Sequence, residues 1–214
     1  MTKEKRIHFV RHGTPEGLEA FLAGSTDLAL SEQGKTEAEK TGKWFAEQSF
    51  DGLIYSSPLS RAHDTAKLIV SEIQKGNESF NGDITVKEKL TECDLGILEG
   101  MKKEELEAYS GSEDFSAWLS DPFGFVFPKG ESFAGSGRRF AEAVDEILKE
   151  NENNDEEIMI AAHMCVIEAY LVLKGLIEPS MDLVENPVPC ASITTVLYGK
   201  DGEMTIERLG WIPE

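Results

Sequence analysis

Four side chains that are able to bind or attack a small anion follow predicted strands of this sequence. They are Arg11, His12, Arg61 and His163. His12 comes almost directly after the apolar run Ile7–Val10, and His163 comes directly after Ile158–Ala162. Because the carboxyl ends of parallel strands meet along one edge of an open α/β sheet, where ligands bind, we expect these side chains to lie close together.

The predicted cluster is positive in a chain whose net charge is strongly negative. The sequence has 21 basic and 40 acidic residues, which gives a formal charge of −19. Two guanidinium groups beside two imidazoles suit a tetrahedral oxyanion such as a phosphoryl group, because arginine binds phosphate oxygens through paired hydrogen bonds. Histidine is also a common metal ligand, but two arginines repel a divalent cation. We therefore favour the anion and expect no metal.

Strand patterns alternate with helix patterns along the chain, which is typical of βαβ units around a parallel sheet. The predicted strands are Ile7–Val10, Leu53–Ser56, Ile84–Leu90, Ile158–Ala162, Ala191–Tyr198 and Met204–Leu209. The predicted helices run from Ser31 to about Gln48, from Ser57 through Ile73, and from about Ala134 to Glu150. Ser57 is predicted to be the N-cap of the second helix, with Pro58 at its first position. We expect an α/β fold with a central, mostly parallel sheet, helices on both faces and a closing hairpin.

The segment from about residue 94 to 135 is less regular than the rest. It mixes glycine, proline and charged residues with the aromatics Tyr109, Phe115, Trp118, Phe123, Phe125 and Phe127. We expect this segment to leave the sheet as a small cap insertion within one domain that covers residues 1–214. The aromatics are predicted to form a small core rather than a binding wall.

The order of several motifs resembles the histidine phosphatase superfamily, the phosphoglycerate-mutase-like proteins. The motifs are Arg11-His12-Gly13, the stretch from Gly24 to Gly34, Ser56-Ser57-Pro58-Leu59-Ser60-Arg61-Ala62 followed by Thr65-Ala66, the stretch from Leu90 to Gly100, and a late strand followed by His163. They span most of residues 6 to 170 in the family's order. The resemblance implies the family's fold and an enzyme that acts on phosphoryl groups.

The resemblance also implies a role for each site residue. It makes His12 the nucleophile and Glu92 the proton donor. The phosphoryl oxygens would be held by Arg11, Arg61, His12 and His163. A carboxyl group near an oxyanion has a raised pKa, which suits Glu92 to protonate a leaving alkoxide and then to deprotonate water. No cofactor is implied.

Other titratable residues compete for these roles. Glu16 is the main rival of Glu92 as the acid because it lies close to His12 in the sequence, and Asp94 is a weaker one. For His8 and His63, which lie outside the motif positions, we expect packing or surface roles.

Two departures from the family pattern bear on pocket shape and activity. Met164 stands after His163, where glycine is usual, and this predicts a narrower pocket or a tilted helix start. The stretch Thr14–Ala20 lacks the asparagine that is usual in the mutases. We therefore predict a metal-independent phosphomonoesterase that hydrolyses a small phosphorylated metabolite through a phosphohistidine. The alternatives are a phosphoglycerate-type mutase and a catalytically inactive module that binds a phosphorylated ligand.

Composition and chain pattern argue against other classes of protein. An acidic chain does not suit binding to nucleic acid or to anionic lipid through a basic face. The longest apolar runs are too short for a membrane span or a secretory signal, so we expect a cytoplasmic protein. Cys93, Cys165 and Cys190 have neither disulfide nor metal-site spacing.

The sequence leaves the phosphate ester and the oligomeric state open. Candidates to meet a second acidic group on the substrate are Lys102, Lys103, Lys129, Arg138 and Arg139. We expect most of them to be surface charges.

Overall fold

The computed structural model describes residues 4–17, 22–180, 186–199 and 201–214. The strands are β1 (Lys5–Arg11), β2 (Leu53–Ser56), β3 (Ile84–Val86), β4 (Ile158–Ala162), β5 (Ile193–Tyr198) and β6 (Met204–Trp211). The α-helices are α1 (Glu32–Glu47), α2 (Ser60–Gly76), α3 (Lys103–Tyr109), α4 (Glu113–Ser120), α5 (Phe133–Glu150) and α6 (Met164–Leu173). Short 3₁₀ turns cover Glu88–Leu90 and Gly96–Leu98.

The strands form one mixed sheet in the order β3-β2-β4-β1-β5-β6. The pairs β3–β2, β2–β4 and β4–β1 are parallel, whereas β1–β5 and β5–β6 are antiparallel. The expectation of an α/β fold with a mostly parallel sheet is confirmed. Arg11 at the end of β1 is in register with Ala162 at the end of β4. The residues that follow these two strands therefore leave the sheet side by side.

The central strands are covered on both faces because their side chains alternate. In β4, Ile158, Ile160 and Ala162 pack with the apolar residues of α5 and α6. Met159 and Ala161 point the other way, into a second cluster with residues of α1 and α2. A continuous apolar strand is what burial on two faces requires.

Three predictions of local structure differ from the structure. Helix α2 begins at Ser60 and not at Ser57, and its N-cap Leu59 makes no side-chain capping bond. Asp27 accepts hydrogen bonds from the backbone nitrogen and the hydroxyl of Ser60 instead, at 2.7 and 2.8 Å. Strand β3 ends at Val86, where a 3₁₀ turn takes over. The 94–135 segment carries two helices that the pattern did not indicate, α3 and α4.

His8 has the packing role that was expected of it. Its ring is 2% exposed and meets Phe45 edge-on at 5.3 Å between centroids. Its two nitrogens lie 3.0 Å from Thr195 Oγ1 and 3.1 Å from Glu157 Oε2.

Within the described residues, no helix combines the length and the apolar character needed to cross a bilayer.

The chain after β1 lies directly against the first turn of α1, and glycine makes this approach possible. A Cβ on Gly34 would lie 2.1 Å from the carbonyl oxygen of Thr14, and one on Gly13 would lie 2.3 Å from the carbonyl oxygen of Gly34. Ser31, the N-cap of α1, donates to the same Thr14 carbonyl from its backbone nitrogen and its hydroxyl. The position of the residue between Arg11 and Gly13 therefore depends on this backbone contact.

We expect Gly34→Ala to lower the free energy of unfolding by about 1–3 kcal/mol or more, the usual cost of forcing extra volume into a packed site. The atom nearest to the added Cβ is the carbonyl oxygen of Thr14, which belongs to the backbone and cannot rotate away. Denaturant titration measures the change. Gly76→Ala is the matched control, because nothing lies within 4 Å of its added Cβ. At the end of a helix it should be neutral or stabilising by up to ~1 kcal/mol. Equal losses in the two variants would contradict the close-approach explanation.

Candidate active site

The register of β1 and β4 places two histidine rings together. His12 follows β1 and His163 follows β4, and their ring centroids are 5.1 Å apart. The backbone nitrogen of His12 donates to the carbonyl of Ala162 at 3.0 Å, so the parallel pairing continues past the end of the strand. His12 is 4% exposed and His163 is fully buried.

His12 is held as a neutral ring whose Nε2 lone pair points to Arg61. Its Nδ1 lies 2.7 Å from the carbonyl oxygen of Gly13, which can only accept, so Nδ1 carries the proton. Its Nε2 accepts a hydrogen bond from Nε of Arg61 at 3.2 Å. Burial and the nearby charges of Arg61 and Arg11 hold the pKa of His12 well below its usual range, against the hydrogen bond to Gly13. The ring is therefore unprotonated at Nε2 at neutral pH, as a nucleophile must be.

Arg61 connects His12 to the segment before α1. Its Nη1 donates to the carbonyl of Thr26 at 2.7 Å and its Nη2 to that of Gly24 at 2.6 Å. A guanidinium group has five N–H donors, so two remain after these bonds and the bond to His12. Burial lowers the pKa of Arg61 from its very high ordinary value, and the carboxylates of Glu92, Asp27 and Glu99 oppose that shift.

Glu99 is a supporting residue that the sequence reading missed, although it lies within a quoted motif. Its carboxylate accepts hydrogen bonds from the backbone nitrogens of Gly24 (3.1 Å), Ser25 (2.7 Å) and Thr26 (3.2 Å). Burial alone raises the pKa of Glu99, but the hydrogen bonds it accepts outweigh burial, so this pKa lies below its ordinary value. An ionised Glu99 fixes the carbonyls that Arg61 needs.

Arg11 and His163 each keep a polar group without a partner. Nη1 of Arg11 donates to the carbonyl of Val188 at 2.6 Å, and Nε2 of His163 lies 2.7 Å from the hydroxyl oxygen of Ser57. The buried Nε of Arg11 and Nδ1 of His163 find no hydrogen-bond partner in the described part of the chain. Since buried polar groups are nearly always paired, two unpaired groups beside His12 mark a place where a ligand would complete the structure.

Glu92 lies at the start of α6 and supplies the cap that this helix otherwise lacks. The N-cap residue His163 makes no side-chain capping bond. The carboxylate of Glu92 instead accepts from the backbone nitrogens of Cys165 (3.1 Å) and Val166 (3.3 Å), as well as from its neighbour Cys93 (2.8 Å). Burial raises the pKa of Glu92 above its usual range even though these bonds and the two arginines favour the ionised form. The raised pKa was expected, but its cause is burial and not a bound anion.

The two rivals of Glu92 are placed elsewhere. Glu16 is exposed. The carboxylate of Asp94 accepts from the backbone nitrogen of Gly96 at 2.8 Å and so caps a turn. His63 is half-buried on α2 and is not among the described residues that line the cavity over His12.

The structure places the five predicted site residues around one cavity of about 320 Å³. Arg11, His12, Arg61 and Glu92 line it, and His163 packs behind the ring of His12. The other walls include the six aromatics Tyr109, Phe115, Trp118, Phe125, Phe127 and Phe133. The expected small core is present, since Phe127 belongs to it and Tyr109, Trp118 and Phe125 pack against it, but five of the six aromatics that were named also line the cavity. Phe123 lines a different cavity.

Most of the candidate basic residues are surface charges, as expected, and none of those whose side chains are described lines the cavity over His12. Lys102, Lys129 and Arg138 are exposed. Arg139 is occupied by Glu131, at 3.0 and 2.7 Å, and by the carbonyls of Lys89 (2.9 Å), Thr91 (2.8 Å) and Glu92 (3.1 Å). Arg139 thus positions the backbone of the acid and leaves no fork for a ligand. The side chain of Lys103 and residues 18–20 of the Thr14–Ala20 stretch lie outside the described part of the structure.

The family model of the histidine phosphatase superfamily (branch 1) matches residues 7–212. The chain belongs to the histidine phosphatase superfamily. A 2,3-bisphosphoglycerate-dependent phosphoglycerate mutase of Parvibaculum lavamentivorans is 29% identical over 206 residues, covering 93% of this chain and 95% of the relative.

Solved structures of phosphatases from this superfamily are also similar. A mycobacterial glucosyl-3-phosphoglycerate phosphatase with VO3 has a TM-score of 0.78 at 25% identity, covering 96% of this chain and 98% of that one. A phosphoserine phosphatase of Entamoeba histolytica, with 3-phosphoglyceric acid, has a TM-score of 0.77 at 26% identity, covering 95% of both chains. Phosphatases and mutases thus share this superfamily and this fold.

A second cavity lies on the other side of the start of α6. It measures about 400 Å³ and shares Phe133, Met164 and Cys165 with the cavity over His12. Met164, the residue that departs from the family's usual glycine, therefore lines both cavities. Glu168 lines the second cavity, and its carboxylate accepts from the backbone nitrogen of Val188 at 2.8 Å. Sequence reasoning missed Glu168, which resembles any other helical glutamate.

Glu168 makes stability depend on pH. Burial raises its pKa from 4.5 to about 7, against the hydrogen bond from Val188 and the charge of Arg11. Glu168 then binds a proton more tightly in the folded state than in the unfolded state. The stability that this proton contributes is fully present below about pH 4.5 and is lost as pH rises through about 7. The loss is about 3 kcal/mol at most.

We expect Glu168→Gln, which keeps the hydrogen-bond acceptor, to gain stability relative to the parent protein as pH rises from 5 to 8. Urea titrations at both pH values measure the difference. Glu47→Gln, at an exposed carboxylate on the last turn of α1, is the control and should show no comparable change. A stability difference between Glu168→Gln and the parent that is the same at pH 5 and pH 8 would show that Glu168 does not titrate in this range.

Proposed function

We propose that this chain is a phosphomonoesterase that works through a phosphohistidine at Nε2 of His12, without a metal ion. The observation that carries the proposal is the neutral His12 ring, whose Nε2 lone pair faces Arg61 at the floor of a cavity that Arg11 and Glu92 also line. Nucleophile, cationic groups and acid are within one site. Two positive guanidinium groups would supply the charge stabilisation that a metal ion supplies in other phosphoryl-transfer enzymes.

The first step forms the phosphoenzyme. Nε2 of His12 attacks phosphorus while the bond from phosphorus to the ester oxygen breaks. Glu92 in its protonated form gives its proton to the departing alkoxide. Nε of Arg61 loses its acceptor when Nε2 is phosphorylated and turns to a phosphoryl oxygen, where the free donors of Arg11 can join it. His163 can join them from Nδ1 in the tautomer in which its Nε2 accepts from the hydroxyl of Ser57.

The second step releases inorganic phosphate. Water attacks phosphorus, the bond from phosphorus to Nε2 breaks, and the carboxylate of Glu92 takes the proton of the attacking water. Glu92 can act in both directions because burial raises its pKa while three backbone N–H groups stabilise its ionised form. A general acid and base works best when its pKa is brought toward the working pH.

A phosphoglycerate-type mutase is the second candidate, and the 29% identity to the mutase of Parvibaculum lavamentivorans favours it. A mutase must retain its dephosphorylated intermediate and return the phosphoryl group to it. That retention requires contacts beyond the phosphoryl site. In the described part of the cavity, the basic residues are Arg11 and Arg61, both next to His12. This arrangement supports hydrolysis over retention of an anionic intermediate.

We expect a substrate-treated sample, quenched within milliseconds to seconds, to carry one phosphoryl group that is stable in base and labile in acid, as a phosphoramidate is. The adduct should be absent from His12→Gln and present in the control His63→Gln. Intact-mass spectrometry at the two pH values measures it. An adduct that survives acid and is lost in base would place the phosphoryl group on oxygen. Rapid interconversion of 2- and 3-phosphoglycerate with negligible phosphate release would replace the phosphatase with the mutase.

We expect Glu92→Gln to slow hydrolysis of an alkyl phosphate by about 10²-fold or more, the usual scale of general acid catalysis. Hydrolysis of 4-nitrophenyl phosphate should be slowed much less, because its leaving group needs no proton. The control Glu16→Gln should leave both rates near those of the parent. If Glu16→Gln shows the dependence on the leaving group and Glu92→Gln does not, the acid is Glu16.

A further inference from the structure

The cavity over His12 divides into a charged floor and an apolar wall. Its described charged residues are Arg11, which precedes His12 in the sequence, Arg61, which bonds to His12, and Glu92, whose carboxylate interacts with the charges of both arginines. The wall is made mainly by apolar surface of Pro15, of two segments, residues 22–24 and 95–133, and of Met164 and Cys165. Tyr109 and Trp118 each add one buried polar atom that has no hydrogen-bond partner among the described residues. A substrate whose phosphoryl group lies on His12 would therefore place the rest of its structure against this wall.

The wall is built mainly from aromatic rings that pack against one another. Phe127 contacts Phe125 at 5.5 Å and Phe133 at 5.5 Å between ring centroids, and Trp118 contacts Phe115 at 5.4 Å. Of these five rings Phe127 is buried, and the other four, Phe115, Trp118, Phe125 and Phe133, are half-buried. Half-buried rings beside a cavity have apolar surface left for a ligand to cover.

A second anionic group has no cationic partner among the described residues of this wall, where Tyr109 Oη and Trp118 Nε1 are neutral donors without a partner. The candidate cations Lys102, Lys129 and Arg138 are exposed, and the donors of Arg139 are taken by Glu131 and three carbonyls. A carboxylate or second phosphate placed against the rings would lose its hydration and meet neutral donors but no described cation, which is unfavourable for a charged group. An alkyl or aryl group in the same place would gain from leaving water.

We propose that the substrates are monophosphate esters of apolar alcohols, alkyl or aryl, and that the cavity discriminates against esters with a second anionic group such as the phosphoglycerates. This proposal rests on the proposed phosphatase function. It assigns the choice of substrate to the aromatic wall, and it differs from the substrate named for the mutase relative.

Four esters with primary alkoxide leaving groups test the proposal, because their chemistry at phosphorus is alike. They are ethyl phosphate, hexyl phosphate, 6-phosphonooxyhexanoate and 3-phosphoglycerate. We expect kcat/KM to rise by at least about tenfold from ethyl to hexyl phosphate, well within what four buried methylenes allow. The terminal carboxylate of 6-phosphonooxyhexanoate should remove that gain, and 3-phosphoglycerate should be no better than ethyl phosphate. Equal values for ethyl and hexyl phosphate, or a preference for either carboxylate, would overturn the proposal.

Two neighbouring residues give a matched pair of variants. Phe125 lines the cavity, whereas Val126 is 62% exposed and does not. Phe125→Ala should lower the ratio of hexyl to ethyl kcat/KM at least about threefold, and Val126→Ala should leave the ratio as in the parent. Trp118→Ala provides a second test of the wall on α4. A ratio that neither Phe125→Ala nor Trp118→Ala lowers would show that the wall does not contact the alcohol.

Binding to His12→Asn separates this proposal from the proposed function, since that variant cannot form the phosphoenzyme. Calorimetry with hexyl phosphate and 3-phosphoglycerate should give tighter binding of hexyl phosphate. If the parent hydrolyses none of the four esters but the variant prefers hexyl phosphate, the phosphatase fails and the ligand class stands. If phosphate is released but 3-phosphoglycerate binds more tightly, the ligand class fails and the phosphatase stands.

Discussion

The buried guanidinium group of Arg61 is the interaction on which the site depends. The residue is 2% exposed and bonds at once to His12, Gly24 and Thr26. An ion taken out of water costs several kcal/mol unless hydrogen bonds and opposite charges compensate. Two carbonyls and the nearby carboxylates of Glu92, Asp27 and Glu99 supply that compensation. Burial first, and the charge of Arg61 second, lower the pKa of both His12 and His163, so Arg61 contributes both to the neutral state of the two rings and to the position of the 24–27 segment.

The fold and the acid are connected through the start of α6. Helix N-termini leave backbone N–H groups unpaired, and their partial positive charge favours an anion. Glu92 occupies that position without a ligand, and Arg139 holds the carbonyl of the same residue. A proton added to Glu92 weakens its bonds to the helix, whereas burial favours that proton. These opposing effects keep the carboxyl able to both give and accept a proton.

The sheet edge could be predicted from the sequence because its determinants are local. Apolar runs followed at once by Arg11-His12 and by His163 define strand ends, and burial on two faces explains why those runs are continuous. The start of α2 could not be predicted, since Ser57-Pro58 is a strong local signal that distant residues override. The hydroxyl of Ser57 meets His163, and Asp27 caps the helix from another segment. Local patterns do not contain such contacts.

The aromatic wall also could not be predicted from local sequence patterns. Whether Phe125 or Trp118 belongs to a core or to a cavity depends on which surface of each ring is left uncovered, and only the folded chain decides that. Arg139 is likewise a candidate ligand cation by its sequence position, but its five hydrogen bonds to Glu131 and three carbonyls occupy all of its donors. The positions of residues that follow strands can be predicted from the sequence because the sheet fixes them. The positions of residues in the 94–135 segment cannot be predicted in this way.

The scaffold and the choice of substrate therefore have separate physical origins. Strand ends and helix starts build the floor, and this floor is compatible with hydrolysis or with return of the phosphoryl group. The balance between the two depends on what holds the alcohol while the phosphohistidine exists. An anionic alcohol held by cations can stay bound until the phosphoryl group is returned to it. An apolar alcohol is held only by non-directional hydrophobic contacts, so water competes with it for the phosphoryl group. The net charge of −19 acts in the same direction outside the cavity, because a substrate with one anionic group is repelled less than one with two or three.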